Sequence, residues 1–262
     1  MIDSTLKWIG GKSRSRDIYT NIFPEHKVFV SPFCGACHVE LYKKPAAVEI
    51  INDVNHQLIT FLSELQQHPK ELIAACDAIP YSEKIYNDFK WNPPQDISPL
   101  KQAAIFYFMT TAGFNGGGNK YKSGFSVSKT VNKSKLYRSK LSNMKLMADR
   151  IKDWQILCRD FEEVIKKFDS VDTLFFCDPP YIDKEYLYSG GFTYDDHRRL
   201  ADVLNNVKGK VVLCYYDDPL LAELYPDWHQ FDYSTKSYMR SKDECTDKTE
   251  IILTNYEVQM QL

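Results

Sequence analysis

The segment KVFVSPFCGACHVELYKKPAAVEIIND (27–53) holds two short apolar runs, KVFVS (27–31) and AAVEII (46–51), separated by a glycine, a mixed polar and apolar stretch and a proline. Apolar runs of this length read as buried strands, and GACHVELYKK between them reads as a helix that stops at Pro45. Strand, turn, helix, strand is the repeating unit of an α/β sheet. Its turn contains Cys34-Gly35-Ala36-Cys37-His38, whose spacing fits three chemistries. C-x-x-C-H attaches c-type haem, C-G-x-C resembles a redox pair, and a glycine between strand and helix lets backbone approach a ligand.

The rest of the chain decides among them. It has 262 residues, 44% of them hydrophobic and 26% charged, enough for one large domain carrying an insert. The first residues, MIDSTLKWIGGKSRSR, contain no apolar leader, and no apolar run reaches the roughly 20 residues that span a bilayer. A cytoplasmic protein without membrane contact is expected, which argues against haem attachment. Seven cysteines are scattered, several inside apolar runs, and are expected to be buried thiols. A second C-x-x-C pair or an H-x-x-x-H spacing is missing, so no metal site is expected. A thioredoxin-like unit would leave most of the chain unexplained, which leaves a turn that cradles a ligand or two partly buried thiols. His38 is expected to be a polar helix residue near the surface.

Further strands are expected at QILCRD (155–160), TLFFCD (173–178), KVVLCYY (210–216), HQFDYS (229–234) and EIILTNY (250–256). FEEVIKKF and YDDHRRLADVLNNV read as helices between three of them, and Leu58, Ile59, Leu62 and Leu65 fall at helical spacing. The alternation predicts an α/β fold interrupted by a mostly helical insert. The expected division is a catalytic domain of residues 1–60 and 151–262 and an inserted domain of residues 61–150.

Ligands of open α/β sheets collect at the carboxyl ends of strands. There the sequence places Ser31-Pro-Phe-Cys-Gly35, Asn52-Asp53, Arg159-Asp160-Phe161 and Asp178-Pro179-Pro180-Tyr181. An acid after the second strand suits a ribose, although Asp53 taken alone reads first as a helix cap. Two prolines after TLFFC cannot continue a central strand, so the chain must turn out of the sheet. That turn can present a carboxylate, a free carbonyl and an aromatic ring together. The trio suits an exocyclic amino group on a flat heteroaromatic ring: two acceptors hold its hydrogens and the ring stacks on tyrosine.

With LKWIGGKSR near the start, FVSPFCGACHVEL, INDVNHQLI, CDPPY and EIILTNY in this order, the chain resembles the Dam-type DNA adenine-N6 methyltransferases, which use S-adenosylmethionine. The resemblance covers nearly the whole chain and implies a Rossmann-like, mostly parallel sheet with an antiparallel C-terminal strand. It further implies that Trp8 and Lys12 contact the cofactor, Phe33 and Gly35 wrap its methionine end, Asp53 binds its ribose, and Asp160 with Phe161 flanks its adenine. Asp178 would stand at the junction of cofactor and target base, sharing the adenine N6 hydrogens with the Pro179 carbonyl, while Pro180 stiffens the turn and Tyr181 stacks on the flipped base. The family usually carries further glycines at Ala36 and Cys37, and Ser and Asn near VVLCYYDDP, so Cys37, Cys214 and Tyr216 mark departures.

Net charge is −2, so contacts to double-stranded DNA must be local. Between Asn119 and Lys152 there are ten Lys or Arg and one acid, Asp149. Such a stripe suits phosphates. Asn115, Lys120, Lys122 and Arg138 there, and Arg240 in KSYMRSKDECTDK (236–248), are the candidate DNA contacts. AGFNGGGNKYKSGFSV resembles the family's DNA-facing hairpin. A monomer or weak dimer is expected. Transfer to cytosine N4 or to RNA, and a non-catalytic DNA-binding protein of the same fold, remain open at this point.

Overall fold

The computed structural model describes residues 2–114, 123–188, 190–235 and 248–258. Its chain divides into two compact units, the first made of Met1–Arg16, Gly35–Lys43 and Asn55–Cys158, the second of Asp17–Cys34, Lys44–Val54 and Arg159–Leu262.

All seven expected strands form: β1 (Val28–Ser31), β2 (Val48–Asn52), β3 (Gln155–Leu157), β4 (Thr173–Cys177), β5 (Lys210–Tyr216), β6 (His229–Thr235) and β7 (Lys248–Thr254). Their order in one sheet is β3-β2-β1-β4-β5-β7-β6. β1 lies parallel between β2 and β4, with Val28 opposite both Val48 and Thr173, and β5 continues the parallel set. β7 runs antiparallel to β5 and β6. The central strands are apolar without alternation because both faces are covered. Phe29, Val30, Leu174, Phe175, Val211, Val212 and Leu213 are all wholly buried. Helices α1 (Arg16–Ile22), α8 (Phe161–Phe168), α9 (Tyr194–Leu204) and α10 (Pro219–Leu224) accompany these strands.

The first unit is helical: α2 (His38–Tyr42), α3 (His56–Gln67), α4 (Pro69–Asp77), α5 (Glu83–Trp91), α6 (Pro99–Ala112) and α7 (Lys133–Ile151). α6 carries almost no polar face, and Ala103, Ala104, Phe106, Tyr107, Phe108 and Met109 are all buried, which makes it the bundle's centre. Ser98 caps it by accepting from the Lys101 N–H, with Pro99 in the first turn. Phe61 of α3 stacks on Tyr107 at 6.0 Å. α7 turns Tyr137, Leu141, Met144, Met147 and Ile151 inward at helical spacing and leaves Lys135 and Lys145 exposed. After α6 the chain turns back on itself: the Phe114 N–H donates to the Gly124 carbonyl and Gly113 bridges Phe125 in antiparallel register.

Cys34, Cys37, Cys76, Cys177 and Cys214 are buried free thiols, as expected, and Cys158 is a half-buried one. Among the described residues no group of side chains could hold a metal ion, and no helix is long and apolar enough to cross a membrane.

Candidate active site

The order of the sheet reverses between β1 and β4, the point where open α/β sheets bind ligands beyond their carboxyl ends. The turn Asp178-Pro179-Pro180-Tyr181 leaves β4 there, and Pro32 and Phe33 leave the adjacent β1. The two prolines follow Cys177, the last residue in the ladder, as their missing N–H groups require. Asp178 keeps part of its surface in solvent, while Tyr181 is only 6% exposed. The Tyr181 hydroxyl donates to Glu250 Oε1 at 2.5 Å, and its ring meets Tyr216 edge to face at 4.5 Å. Burial, reinforced by Asp178 and Glu250, pushes the Tyr181 hydroxyl well above its ordinary range, so it stays a proton donor.

The strand-end loops of this unit are tied together by Asn52, to which the sequence reading gave no role of its own. It ends β2 and is wholly buried. Its Nδ2 donates to the carbonyls of Pro32 at 2.9 Å and Arg159 at 3.0 Å, while its Oδ1 accepts from the Arg159 N–H at 2.9 Å and its own carbonyl from Cys34. One amide thereby fixes the loops that carry Phe33, Asp53 and Asp160. The cap of α3 is Asn55, which accepts from Gln57 and Leu58, so Asp53 does not serve as that cap.

Asp160 caps α8 through the Glu162 N–H and receives a two-pronged bond from Arg199, Nη1 to Oδ1 at 2.8 Å and Nη2 to Oδ2 at 2.9 Å. The same guanidinium lies 4.2 Å over the ring of Phe161. Phe161 in turn stands 5.4 Å from Phe33 and 5.9 Å from Phe192, an aromatic group at the ends of β1 and β3. Arg199 was not legible as a site residue because it sits 39 positions from Asp160 on an amphipathic helix. Next to it on α9, His197 is wholly buried and bridges Tyr215 (2.8 Å) and Glu185 (2.8 Å).

Trp8, Lys12 and Gly35 belong to the first unit. Gly35 has φ +46°, and a Cβ there would lie 2.8 Å from Trp8 Nε1, so only glycine fits beneath that indole. Lys12 is 6% exposed and its Nζ donates to the Gly10 carbonyl at 3.1 Å. Cys37, where the family usually has glycine, adopts φ 57°, ψ 36°, the left-handed region that favours glycine. His38 begins α2, as expected, but is half-buried rather than a free surface residue: it packs on Gly11, where a Cβ would stand 2.8 Å from its Cδ2, and its Nδ1 is out of solvent without a hydrogen-bond partner. Burial, helped by Lys140 and Arg16, lowers its pKa to about 4, so it is neutral near pH 7. Asn115, Lys120, Lys122 and Arg240 lie outside the described residues. Arg138 is exposed on α7 and paired with Asp77 at 3.1 Å.

Residues 8–242 match the family model of D12 class N6 adenine-specific DNA methyltransferases. The chain belongs to this family. It is 28% identical to a Type II methyltransferase, M1.LlaDCHI of Lactococcus lactis subsp. cremoris, across 95% of this chain and 94% of that protein. It is 25% identical to the Retron Ec67 DNA adenine methylase of Escherichia coli, with 96% and 90% covered, and 25% identical to a DNA adenine methylase of Haemophilus influenzae, with 84% and 82% covered. The D12 class methyltransferase described here is thus a site-specific DNA adenine-N6 methyltransferase with a mostly parallel, Rossmann-like sheet.

Proposed function

We propose that this D12 class enzyme takes its methyl group from S-adenosylmethionine and places it on N6 of an adenine flipped out of double-stranded DNA. The observation that carries the reading is the Asp178–Tyr181 turn at the centre of the sheet, where strand order reverses. The residues present fit the cofactor. Phe33, Phe161 and Phe192 offer aromatic surface to a purine. Phe33 and Gly35 would hold the methionine end together with Trp8 and Lys12, Asp53 the ribose, and Phe161 the adenine, with Asp160 kept in place by Arg199. When bound, the cofactor supplies a methyl group on a positively charged sulfur, open to in-line displacement by an amine.

The chain's own contribution is orientation. An amine conjugated to a purine is a weak nucleophile, because its lone pair is delocalised into the ring. The Asp178 carboxylate and the Pro179 carbonyl accept its two hydrogens and turn the lone pair out of the ring plane. As N6 gains the methyl group it becomes more acidic, and the Asp178 oxygen already bonded to one hydrogen is placed to receive it. Pro180 limits the turn's freedom, and the ring of Tyr181 lies against the extruded base. Adenine is extruded because its amino group is unreachable inside a duplex.

Residues 1–60 and 151–262 are assigned to methyl transfer and 61–150 to target recognition. Asn115, Lys120, Lys122 and Arg138, with Arg240, are assigned to DNA. The enzyme is read as cytoplasmic and as a monomer or weak dimer, and the Type II names among its relatives suit a restriction–modification setting.

The test is incubation with labelled S-adenosylmethionine and unmethylated genomic DNA, followed by mass analysis of nucleosides. Label is expected in N6-methyladenine, and Asp178→Ala is expected to lower transfer by about 100-fold or more while keeping the parent's circular dichroism. Label in N4-methylcytosine, or transfer only to RNA, would overturn the assignment of the target. Undiminished transfer by Asp178→Ala would sink the mechanism.

A further inference from the structure

We propose that Glu250, on β7, is a positioning residue: by holding the Tyr181 hydroxyl it sets the plane of the ring against which the target base lies. This rests on the reading of the Asp178–Tyr181 turn as the base-holding element. Glu250 is 5% exposed and opens the apolar run Ile251, Ile252, Leu253, each of them 2% exposed or less. A carboxylate in such a strand carries a desolvation cost that a leucine would avoid, so stability alone does not account for it. Its Oε1 accepts from Tyr181 at 2.5 Å and from Tyr19 at 3.1 Å.

Tyr19, on α1, is wholly buried and meets Phe176 of β4 edge to face at 5.4 Å. A closed circuit results: the strand that delivers the prolyl turn holds Tyr19, Tyr19 shares an oxygen of Glu250 with Tyr181, and Tyr181 ends the turn. In the antiparallel register Glu250 stands opposite Tyr216, whose ring closes on Tyr181 from the side. Tyr215 adds a second ring at 5.8 Å. An aromatic side chain held at its hydroxyl and at two edges has lost rotation about both of its torsions. The face offered to a base is therefore set before the base arrives, which removes an ordering cost from catalysis.

The experiment compares Tyr181→Phe, Glu250→Ala, Glu250→Gln and the double variant Tyr181→Phe/Glu250→Ala in the same DNA methylation assay, with cofactor affinity followed by calorimetry. Tyr181→Phe and Glu250→Ala are each expected to lower kcat about tenfold, with cofactor affinity within about twofold of the parent, and the double variant to be no worse than the poorer single. Glu250→Gln keeps an amide oxygen for the Tyr181 hydroxyl and is expected to restore kcat to within about threefold. Multiplying losses in the double variant, a Gln variant as poor as Ala, or full turnover by Tyr181→Phe would each overturn the proposal. Should Glu250→Ala not fold, Tyr181→Phe and Glu250→Gln decide alone: the first must lose kcat and the second must keep it. Failure of the parent protein itself to methylate DNA would sink the base-holding reading instead. The anchor is then judged by denaturant unfolding, where Tyr181→Phe and Glu250→Ala must be coupled.

Discussion

Replacing Cys37 by glycine and, separately, by alanine tests whether the αL backbone of the cofactor loop is imposed on its sequence. Cys37 is wholly buried at φ 57°, ψ 36°, just before α2, and its Sγ lies 3.7 Å from the Gly35 carbonyl. A non-glycine residue in this region costs about 1–2 kcal/mol, which glycine recovers. Against this stand about 0.4–1 kcal/mol for the greater freedom of glycine in the unfolded chain, and about 1 kcal/mol or more for the buried methylene and thiol. Cys37→Gly is therefore expected within about 1 kcal/mol of the parent by these terms together. Cys37→Ala keeps the strain and loses the sulfur, so it is expected to lie about 1 kcal/mol or more below the parent, and below glycine. Glycine more stable than alanine is also the order expected at a helix N-cap, so the size of the gap carries the test. Denaturant midpoints at constant m-value measure it. An alanine variant more stable than the glycine one would refute the reasoning and show that other contacts relieve the αL geometry. Calorimetry on Cys37→Gly should find cofactor affinity equal to or better than the parent's.

Two further outcomes follow from buried polar groups. Asn52→Asp keeps the acceptor for the Arg159 N–H but turns a carboxylate oxygen toward the Pro32 and Arg159 carbonyls, so a loss of about 2–4 kcal/mol is expected in denaturant unfolding, smaller in acid. A change under about 0.5 kcal/mol would remove Asn52 from its clamping role. His38 stays unprotonated in the fold to about pH 4 while the unfolded chain takes up the proton near 6.5, so its contribution is intact above pH 6.5 and lost as pH falls toward 4. The full effect is about 3 kcal/mol, and His38→Gln is expected to flatten the stability profile across that window; an unchanged profile would refute it.

The sheet was legible because its strands are unbroken apolar runs bounded by charge, proline or asparagine, a signal that survives without knowledge of partners. TLFFC and KVVLCYY are buried on both faces and could be little else. The prolyl turn was legible for the converse reason, since proline forbids the strand that precedes it from continuing. α2 covers only five residues of the ten expected, because its start is displaced by the αL residue Cys37 and its end by the extended Lys43. Asp53 was ambiguous locally, and Asn55 two residues on resolves it by taking the cap. The roles of Asn52, Arg199 and Glu250 were not legible because the partners that define them lie 20 and 107, 37 and 39, and 69 and 231 positions away, although Arg199 also bonds Asp196 three residues before it. The nearest local signals were an amide closing the run VEIIN and an acid opening EIILT. Neither reveals what it will meet.

The place of β1 in the sheet also governs how the molecule comes to exist. β1 pairs with β2 at short range but with β4 only across Val28 and Thr173, roughly 145 residues later. At a synthesis rate of about 5–20 residues per second, β1 and β2 wait on the order of 7–30 s for their neighbour. Through that interval the side of VFV that will face β4 is an open apolar edge, a feature that invites association between nascent chains. The central parallel strands that create the crevice at the switch point thus make this a slow-folding, late-closing molecule. Sensitivity of expression yield to chaperone supply is the expected outcome, set by topology rather than by any single contact.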